Sequence, residues 1–193
     1  MNKHEIKNQA TKKKLTEAFI ELYSETSIEH ITVKAITDKA GYNRGTFYLH
    51  YYDVYDIYEG IKKDLIEKMK FKINQFLAEN NEIQFDQFFR IVFNFYNENE
   101  KYVVPLIRQD ISFVNAIKSN IKPVIYKWFN IISEQDKLEV DFLVEYHLSA
   151  IVGMINLWSI NRSKILIEQL LNIIFRVSTK GVMTVLNDKK ELK

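Results

Sequence analysis

The stretch that decides the fold is Ile31–Asp53, ITVKAITDKAGYNRGTFYLHYYD. It predicts two short helices separated by a glycine turn. Thr32 is suited to cap the first helix, because its hydroxyl can accept from the unpaired amides of the first turn. Gly41 follows the last apolar position of that helix, where a left-handed backbone conformation costs glycine least. Asn43 is suited to cap a second helix that begins at Arg44.

The second helix of this stretch has two faces of different chemistry. Phe47 and Tyr51 are four residues apart, so they predict a face that packs inward. The other face presents polar side chains that suit phosphate oxygens and base edges, namely Arg44, Thr46, Tyr48 and His50. Helix, glycine turn and short helix is the helix-turn-helix arrangement, in which the second helix enters the major groove of DNA.

This stretch also resembles a known family. The run Gly41–Tyr51, GYNRGTFYLHY, which follows Ile31-Thr-Val and precedes Asp53, resembles the signature of TetR-type transcriptional regulators. It is most similar to the subgroup that includes dihydroxyacetone-kinase regulators. The local resemblance covers roughly residues 8–60, and the remainder resembles the family only in length and helical character. It implies an all-α fold, with a three-helix helix-turn-helix domain joined by a long helix to a larger helical bundle.

The resemblance implies that nine residues around the turn contact DNA. Arg44 can form a bidentate pair with guanine or bind a phosphate, and the alternative is an ordinary surface arginine. Tyr48 matches a position that binds phosphate, and the bare backbone of Gly45 can approach a thymine methyl group. The full set of implied DNA-binding residues is Thr32, Lys34, Tyr42, Asn43, Arg44, Gly45, Thr46, Tyr48 and His50.

One position departs from the family pattern. Many TetR-type regulators carry a lysine directly after the position of Asp53, and that lysine commonly holds a phosphate, whereas this chain has Val54. Tyr52 or Tyr55 can supply part of the missing contact. The departure lowers the expected affinity and keeps open a diverged member that needs a partner protein to bind DNA.

Composition excludes several classes of protein. The 193 residues are 47% hydrophobic, which is enough to bury a sizeable core, and the 5 glycines and 2 prolines argue against an all-β fold. There is no cysteine, so disulfides, thiolate metal sites and a cysteine nucleophile are excluded. Residues 1–14 lack the apolar core of a signal peptide, and the stretch 147–160 is shorter than the roughly 20 residues that span a bilayer. We therefore expect a soluble cytoplasmic protein.

Charge is distributed unevenly along the chain, although the net charge is only +2. Residues 1–14 form a basic arm, with lysines at positions 3, 7, 12, 13 and 14. Residues 15–29 carry only acidic charges, for which a solvated helix face is the simplest explanation. Because non-specific DNA affinity depends on the number of neutralised phosphates, we expect modest, salt-sensitive binding that relies on dimerisation.

Apolar periodicity predicts helices along the rest of the chain. A first helix is predicted from about Gln9 to Ser24, and a long helix runs from the Asp53 cap to about Leu77. The long helix is the candidate lever by which a distant ligand moves the second helix of the turn motif. A short helix over 102–108 is predicted to bend or end at Pro105. Further helix starts are predicted at Pro123, at a capping box of Asp136 with Glu139, and at Ser163.

The last two long helices are apolar over more than one face, so each must be covered. We expect two helices from each of two chains to pack as a four-helix interface, and Ala150 and Gly153 would allow close approach. The resemblance implies the same homodimer. The alternative is that both are ordinary core helices of a monomer.

Evidence for catalysis is weak. The histidines His4, His30, His50 and His147 are too scattered for a clustered metal site, and no glycine-rich phosphate loop is present. We therefore predict no enzyme, no metal and no cofactor. An effector pocket with a few polar handles is predicted from Tyr96, Tyr102, Arg108, Trp128 and His147. Aromatic stripes at helical spacing are more often plain core, and His147 is more often a hydrogen-bonded core residue than a ligand-binding one.

These inferences predict a two-domain regulator. Residues 1–52 would form the DNA-binding domain, and residues 53–193 would bind a small-molecule effector and dimerise. The predicted function is ligand-responsive repression at a two-fold DNA operator. One alternative is a co-regulator of the same fold that acts through protein contacts with weak or no DNA binding of its own. Another is a helical carrier or enzyme for lipids or small molecules, in which a basic recognition face would have no use.

Overall fold

A computed structural model describes residues 3–79, 85–128, 130–161 and 164–181 of the chain. Over these residues it forms eight α-helices and one short 3₁₀ helix, without a strand. The helices are α1 (Lys3–Glu25), α2 (Val33–Ala40), α3 (Arg44–Tyr48), α4 (Val54–Glu79), α5 (Phe85–Gln109), α6 (Ile111–Trp128), α7 (Glu134–Ile160) and α8 (Ile167–Lys180), and the 3₁₀ helix is Ile28–His30. The predicted all-α fold with an N-terminal helix-turn-helix is confirmed.

The chain divides into two compact units. The first comprises Met1–Ala78 and Ile91–Asp110, and the second comprises Glu79–Arg90 and Ile111–Lys193. The predicted division at residues 52 and 53 concerns function, between DNA binding and effector binding, and it stays a prediction.

Helix α1 buries the apolar face that its spacing predicts. Leu15, Phe19 and Tyr23 are all buried, at the i, i+4 and i+8 positions of one stripe. The ring of Phe19 stacks on that of Tyr23 with centroids 5.7 Å apart, and the ring of Tyr58 in α4 lies 5.4 Å from Tyr23. This aromatic cluster attaches α1 to the start of α4, with each ring pair contributing about 0.5–1.5 kcal/mol beyond its buried area.

Helix α4 buries one continuous stripe along its length. The buried residues of the predicted stripe are Ile57, Ile61, Leu65, Met69, Ile73 and Phe76. Their near-helical spacing keeps them on one side of the helix, so charged residues occupy the other side. Helix α4 starts six residues after the end of α3 and continues without a break to Glu79, well beyond the helix-turn-helix.

A buried polar cluster closes the first unit at its last residue, Asp110. The Tyr58 hydroxyl donates to Asp110 Oδ2 over 2.5 Å, and the Lys62 ammonium lies 2.9 Å from the same oxygen. Burial, followed by the hydrogen bond to Asp110, raises the pKa of Tyr58, so this hydroxyl stays a donor. The cluster ties two residues of α4 to the residue between α5 and α6.

The two prolines behave differently from the sequence prediction. Helix α5 continues through Pro105 and α6 continues through Pro123, so the predicted helix end at Pro105 and helix start at Pro123 are wrong, whereas the predicted bend at Pro105 stays a prediction. A proline inside a helix costs about 3 kcal/mol. Val104 and Leu106 beside Pro105 are buried, and burial of each such side chain contributes roughly 1.5–3 kcal/mol. Tertiary burial therefore outweighs the local cost.

Two other helix starts also differ. Helix α7 begins at Glu134, because Ser133 Oγ accepts from the Asp136 amide over 3.0 Å. The predicted capping box of Asp136 with Glu139 is therefore wrong, and Asp136 instead lies inside the first turn. Helix α1 begins at Lys3, ahead of the predicted start. The predicted cap Ser163 lies outside the described residues.

In the second unit, α6 packs on α7 and α7 packs on α8. The buried Lys118 ammonium pairs with the Glu145 carboxylate and donates to Ser149 Oγ over 2.9 Å, which joins α6 to α7. The Trp158 indole donates to the carbonyl of Ile165 over 3.0 Å, just before α8. Within the described part of the chain, no helix is long and apolar enough to cross a membrane.

Candidate nucleic-acid interface

Helix α2 begins and ends at the predicted residues. Thr32 Oγ1 accepts from the Ala35 amide over 3.1 Å, so Thr32 caps the helix. Gly41 follows with a left-handed φ of 74°, and the next amide, that of Tyr42, donates to the Thr37 carbonyl over 2.9 Å. These bonds close the end of α2 and set the direction in which α3 leaves the turn.

Asn43 fixes the start of α3. Its Oδ1 accepts from the Thr46 amide over 2.8 Å and from the Thr46 hydroxyl over 3.1 Å. Phe47 is fully buried and contacts the rings of Tyr48 and Tyr51, each with centroids 5.6 Å away. The Asn43 cap and the buried Phe47 ring together hold α3 so that the side opposite Phe47 faces outward. A Thr46 hydroxyl that donated to a phosphate would have to leave Asn43.

The nine residues expected to contact DNA all reach the surface of the first unit. The exposed ones are Thr32, Lys34, Asn43, Arg44, Gly45 and Tyr48, and the half-buried ones are Tyr42, Thr46 and His50. The side chain of Tyr48 is 59% exposed although its ring edge rests on Phe47. The predicted polar ridge therefore reaches solvent, which an interface with DNA requires. The prediction that His50 lies on this helix is wrong, because α3 ends at Tyr48. Contact with DNA stays a prediction.

The cations near this surface differ in their partners. Lys39 pairs with Glu21 of α1 over 3.3 Å, and Lys101 of α5 pairs with the same carboxylate over 2.9 Å. Hydrogen bonds from Lys101 and Lys39 lower the pKa of Glu21, so the carboxylate stays charged. In the described part of the chain, Lys34 and Arg44 make no ion pair, which leaves them open to an external anion.

The imidazole of His50 has a preferred protonation state. Burial, and secondly the charge of Lys12, lower the pKa of His50. The ring is therefore neutral at pH 7, and it can donate one hydrogen bond to a phosphate without carrying charge.

Val54 is buried, with an exposed fraction of 8%, so the position that carries a lysine in many TetR-type regulators packs inward here. The next helix is capped without it: Asp53 Oδ1 accepts from the Asp56 amide over 2.8 Å, and Asp56 Oδ2 accepts from the Tyr52 amide over 2.9 Å. Tyr52 itself is 90% exposed and Tyr55 is exposed. Both are therefore accessible, although neither carries a charge, and a phosphate contact by either one stays a prediction.

The structure adds one apolar residue that the sequence analysis did not select. Leu49, next to His50, is one of the most exposed large apolar residues of the first unit. The sequence could have predicted this exposure, because Leu49 lies two positions after the buried Phe47 and so points to a different side of the same turn.

The residues predicted for an effector pocket lie in both units. On α5 in the first unit, Tyr96 is buried, Tyr102 is half-buried and Arg108 is exposed. In the second unit, half-buried His147 has its Nε2 2.9 Å from Ser178 Oγ, and burial lowers its pKa. The side chain of Trp128 lies outside the described part of the structure. The pocket stays a prediction.

Helix α7 of the second unit, together with Leu166 just before α8, exposes a set of large apolar side chains. Phe142 is 71% exposed and Leu157 is 66% exposed, although neither side chain carries a polar atom. Gly153, between them in sequence, is also exposed. The other exposed members are Leu138, Leu143, Tyr146, Ile160 and Leu166. We call these residues, with Phe142 and Leu157, the α7 apolar surface.

The known proteins that are similar to this chain include helix-turn-helix regulators, in agreement with this geometry. No family model matches the chain. The chain is 29% identical, over 135 residues, to the uncharacterized HTH-type transcriptional regulator YxbF of Bacillus subtilis strain 168, covering 67% of this chain and 32% of that protein. The chain therefore spans about a third of the length of the curated relative it matches.

Solved structures give matches over most of the chain. A TetR transcriptional regulator of Streptococcus agalactiae 2603V matches with a TM-score of 0.57 and 22% identity, over 89% of this chain and 94% of that one. A Clostridium perfringens protein assigned to the regulation of fatty acid metabolism matches with a TM-score of 0.64 and 20% identity, over 88% and 98%. The regulator FadR of Bacillus subtilis, solved in complex with stearoyl-CoA, matches with a TM-score of 0.57 and 15% identity, over 88% and 98%.

Proposed function

Because the chain has the fold of the TetR transcriptional regulators, as its resemblance implied, we propose that it is a sequence-specific DNA-binding regulator. In this proposal it is a ligand-responsive repressor that acts as a homodimer on a two-fold operator. The observation that carries the proposal is the construction of α3. Its buried Phe47 and its Asn43 cap hold an outward face on which Arg44 has no intramolecular ion pair within the described residues.

The proposed roles of the contact residues follow from their chemistry. Arg44, at the first position of α3, is suited to a bidentate pair with guanine. Tyr48, Thr32 and Lys34 are suited to phosphate oxygens, and Thr32 would do so from the N-terminus of α2, where unpaired amides attract anions. Gly45 leaves room for a base edge or a thymine methyl group against the backbone.

The α7 apolar surface supports the proposed homodimer. A contiguous exposed apolar patch on a globular protein marks an interaction site when it exceeds a few hundred Å². We propose a second copy of the same chain as its occupant, because a two-fold operator requires two copies of α3 held at a fixed spacing. A closed dimer of this kind presents the same residues from both subunits to each other.

The proposed ligand response rests on the solved relatives. A small molecule bound by residues 53–193 would favour a conformer with a different spacing of the two α3 helices, so that both half-sites cannot be engaged together. FadR of Bacillus subtilis is solved with stearoyl-CoA, and a long-chain acyl thioester is the effector class we propose. Stearoyl-CoA should then raise the melting temperature and release DNA, whereas coenzyme A alone should do neither.

The deciding experiment is selection of bound fragments from random DNA with the full chain. We expect a palindromic motif, and we expect Arg44→Ala to reduce its affinity by about fivefold to about 150-fold, the loss of about 1–3 kcal/mol in a bidentate contact. Arg90→Ala, which removes another exposed arginine, is the matched control. Unchanged affinity of the Arg44 variant would show that α3 is not the contact face.

The homodimer has a separate test. Light scattering coupled to gel filtration should give twice the mass of the chain for the parent and one chain mass for Leu157→Asp. Phe71→Asp is the matched control, because Phe71 of α4 is 69% exposed and lies outside the α7 apolar surface. A monomeric parent, or a dimeric Leu157 variant, would overturn the proposed interface.

A second candidate function is a co-regulator that binds DNA only with a partner protein. Buried Val54 favours it, because the phosphate contact made by a lysine there in many relatives is missing. Mobility shifts at several salt concentrations, with and without candidate partners, separate the two functions. Operator binding by the chain alone at 150 mM salt would exclude the co-regulator.

A further inference from the structure

Two lysines of the basic arm flank the core-facing stripe of α1. Thr11 and Leu15 are buried and mark the side of α1 that packs inward. At 3.6 residues per turn, Lys12 lies about 100° to one side of Thr11, and Lys14 lies about 100° to the other side of Leu15. Both lysines are exposed. Each can therefore reach around the edge of α1 toward the neighbouring elements of the first unit.

Each of the two lysines ends over an aromatic ring next to α3. The Lys14 ammonium lies 5.9 Å from the ring centroid of Tyr42, the residue before the Asn43 cap. The Lys12 ammonium lies 5.9 Å from the ring centroid of Tyr51, three residues after α3 ends. The two cations thus stand at the two ends of the same five-residue helix.

These cations are not neutralised within the described residues, since neither forms an ion pair there. Glu21, on the acidic side of α1, pairs instead with Lys39 and Lys101. A cation–π contact at an exposed site contributes only about 0.5–1 kcal/mol, so it orients the ammonium group without satisfying its charge. An anion at either end of α3 would find a positioned, unpaired cation.

The geometry points to a phosphate clamp: we propose that Lys12 and Lys14 bind DNA backbone phosphates at the two ends of α3. The proposal rests on the proposed function. The clamp supplies the backbone charge that Val54 does not, from α1 instead of from the start of α4. The aromatic faces of Tyr51 and Tyr42 hold the two ammonium groups at the edges of the groove that α3 enters.

The clamp makes a quantitative prediction about salt. Each phosphate contact adds about 0.9 to the slope of log affinity against log salt concentration on duplex DNA. We expect Lys12→Gln and Lys14→Gln each to lower that slope by about 0.9 for every bound subunit, so by about 1.8 on a two-fold operator. Sequence preference should not change, because phosphate contacts do not distinguish bases.

Lys13→Gln is the matched control. Lys13 lies between the two lysines in sequence, carries the same charge and is exposed, but it has no aromatic partner within the described residues. Fluorescence anisotropy on the selected operator from 50 to 300 mM salt would measure the salt dependence of affinity for the parent, the three glutamine variants and Lys12→Arg. Lys12→Arg, which keeps the charge, should restore the parental slope, whereas a purely structural role would change melting temperature and leave the slope alone.

The outcomes separate this proposal from the proposed function. A parent that binds no operator overturns the function itself. A parent that binds, with parental slopes in the Lys12 and Lys14 variants, overturns the clamp alone. A loss of slope in Lys13→Gln as large as in the other two also overturns it, because the arm would then act as a diffuse positive charge.

Discussion

The surface around α3 and the α7 apolar surface are both open to solvent, but they are built in opposite ways. Around α3, most outward side chains carry a charge, a hydroxyl or a polar ring, with Leu49 as the exception, and the helix is held by the Asn43 cap and by the buried ring of Phe47. On α7, the outward side chains of Phe142 and Leu157 have no polar atom. The first surface suits an anionic partner and the second suits an apolar one.

The difference has an energetic basis. Leaving apolar area in water costs about 25 cal/mol for each Å², and this is recovered only when another apolar surface covers it. An exposed arginine or tyrosine costs little, because water already satisfies it, and its contribution comes from the charge or hydrogen bond of a ligand. The two surfaces share no residue, so the DNA contact and the second copy of the chain that we propose would use different side chains.

The largest expected effect tests how α3 is held. Phe47→Ala should lower the free energy of unfolding by about 3–5 kcal/mol, because it empties a fully buried ring position. Urea unfolding followed by circular dichroism measures it. Tyr48→Ala, on the exposed side of the same helix, should cost only about 0.5–1.5 kcal/mol, because it removes the ring contact with Phe47 and little buried area. Equal losses in the two variants would contradict the inward and outward faces.

The next effect compares the polar clusters of the two units. Asp110→Ala should cost about 3 kcal/mol, because it leaves Lys62 and the Tyr58 hydroxyl without their buried partner. Asp141→Ala in the second unit removes a carboxylate that pairs with Tyr126 and Lys122 near the surface, and it should cost much less. Thermal unfolding of both variants would measure the two losses of stability. A larger loss from Asp141 would reverse the comparison.

Helix caps give a smaller, matched pair. Asn43→Ala and Ser133→Ala should each cost about 1 kcal/mol, since each removes the acceptor for one helix N-terminus. Only the Asn43 variant should also weaken operator binding, because its cap positions α3. Urea unfolding would measure the stability of the Asn43 and Ser133 variants, and fluorescence anisotropy would measure their affinity for the operator. Equal loss of DNA affinity in the Ser133 variant would mean that general stability, and not the position of α3, controls binding.

The smallest effect is on pH dependence. Burial lowers the pKa of His50 in the first unit and of His147 in the second, relative to the ordinary value of 6.5. Below pH 6.5 the unfolded chain therefore binds more protons than the folded one, so stability falls as pH falls through this range and is flat above it.

Replacing either histidine by glutamine should remove its share of that acid sensitivity. Urea unfolding at pH 7.5, 6.5 and 5.5 for the parent, His50→Gln and His147→Gln measures the two shares, and carboxylate effects common to all three proteins cancel in the difference. A variant that keeps the full parental slope below pH 6.5 would show that its imidazole titrates normally in the folded chain.

Much of the first unit is predictable because its determinants are local. Thr32, Gly41 and Asn43 act within four residues of themselves, and the outward face of α3 follows from the helical period around Phe47. The stripe on α4 is equally regular. For these elements, spacing alone decides which side is buried.

The missed features depend on contacts between distant parts of the chain. Helix α5 passes through Pro105 because its neighbours are buried, and no local signal contains that burial. Tyr58 and Asp110 meet across 52 positions of sequence. Lys12 and Tyr51 are similarly distant, so the sequence shows a basic arm but not where its cations lie. Residue spacing cannot supply such pairings.

The glycine at position 45 lies close to the cap that starts α3. A Cβ atom there would lie 3.2 Å from Asn43 Oδ1, the oxygen that accepts from the Thr46 amide. An alanine there would therefore displace the capping oxygen by a few tenths of an ångström, because 3.2 Å is tighter than an ordinary contact. If α3 binds DNA as we propose, a change of base preference is less disruptive at Arg44 or Tyr48 than at position 45.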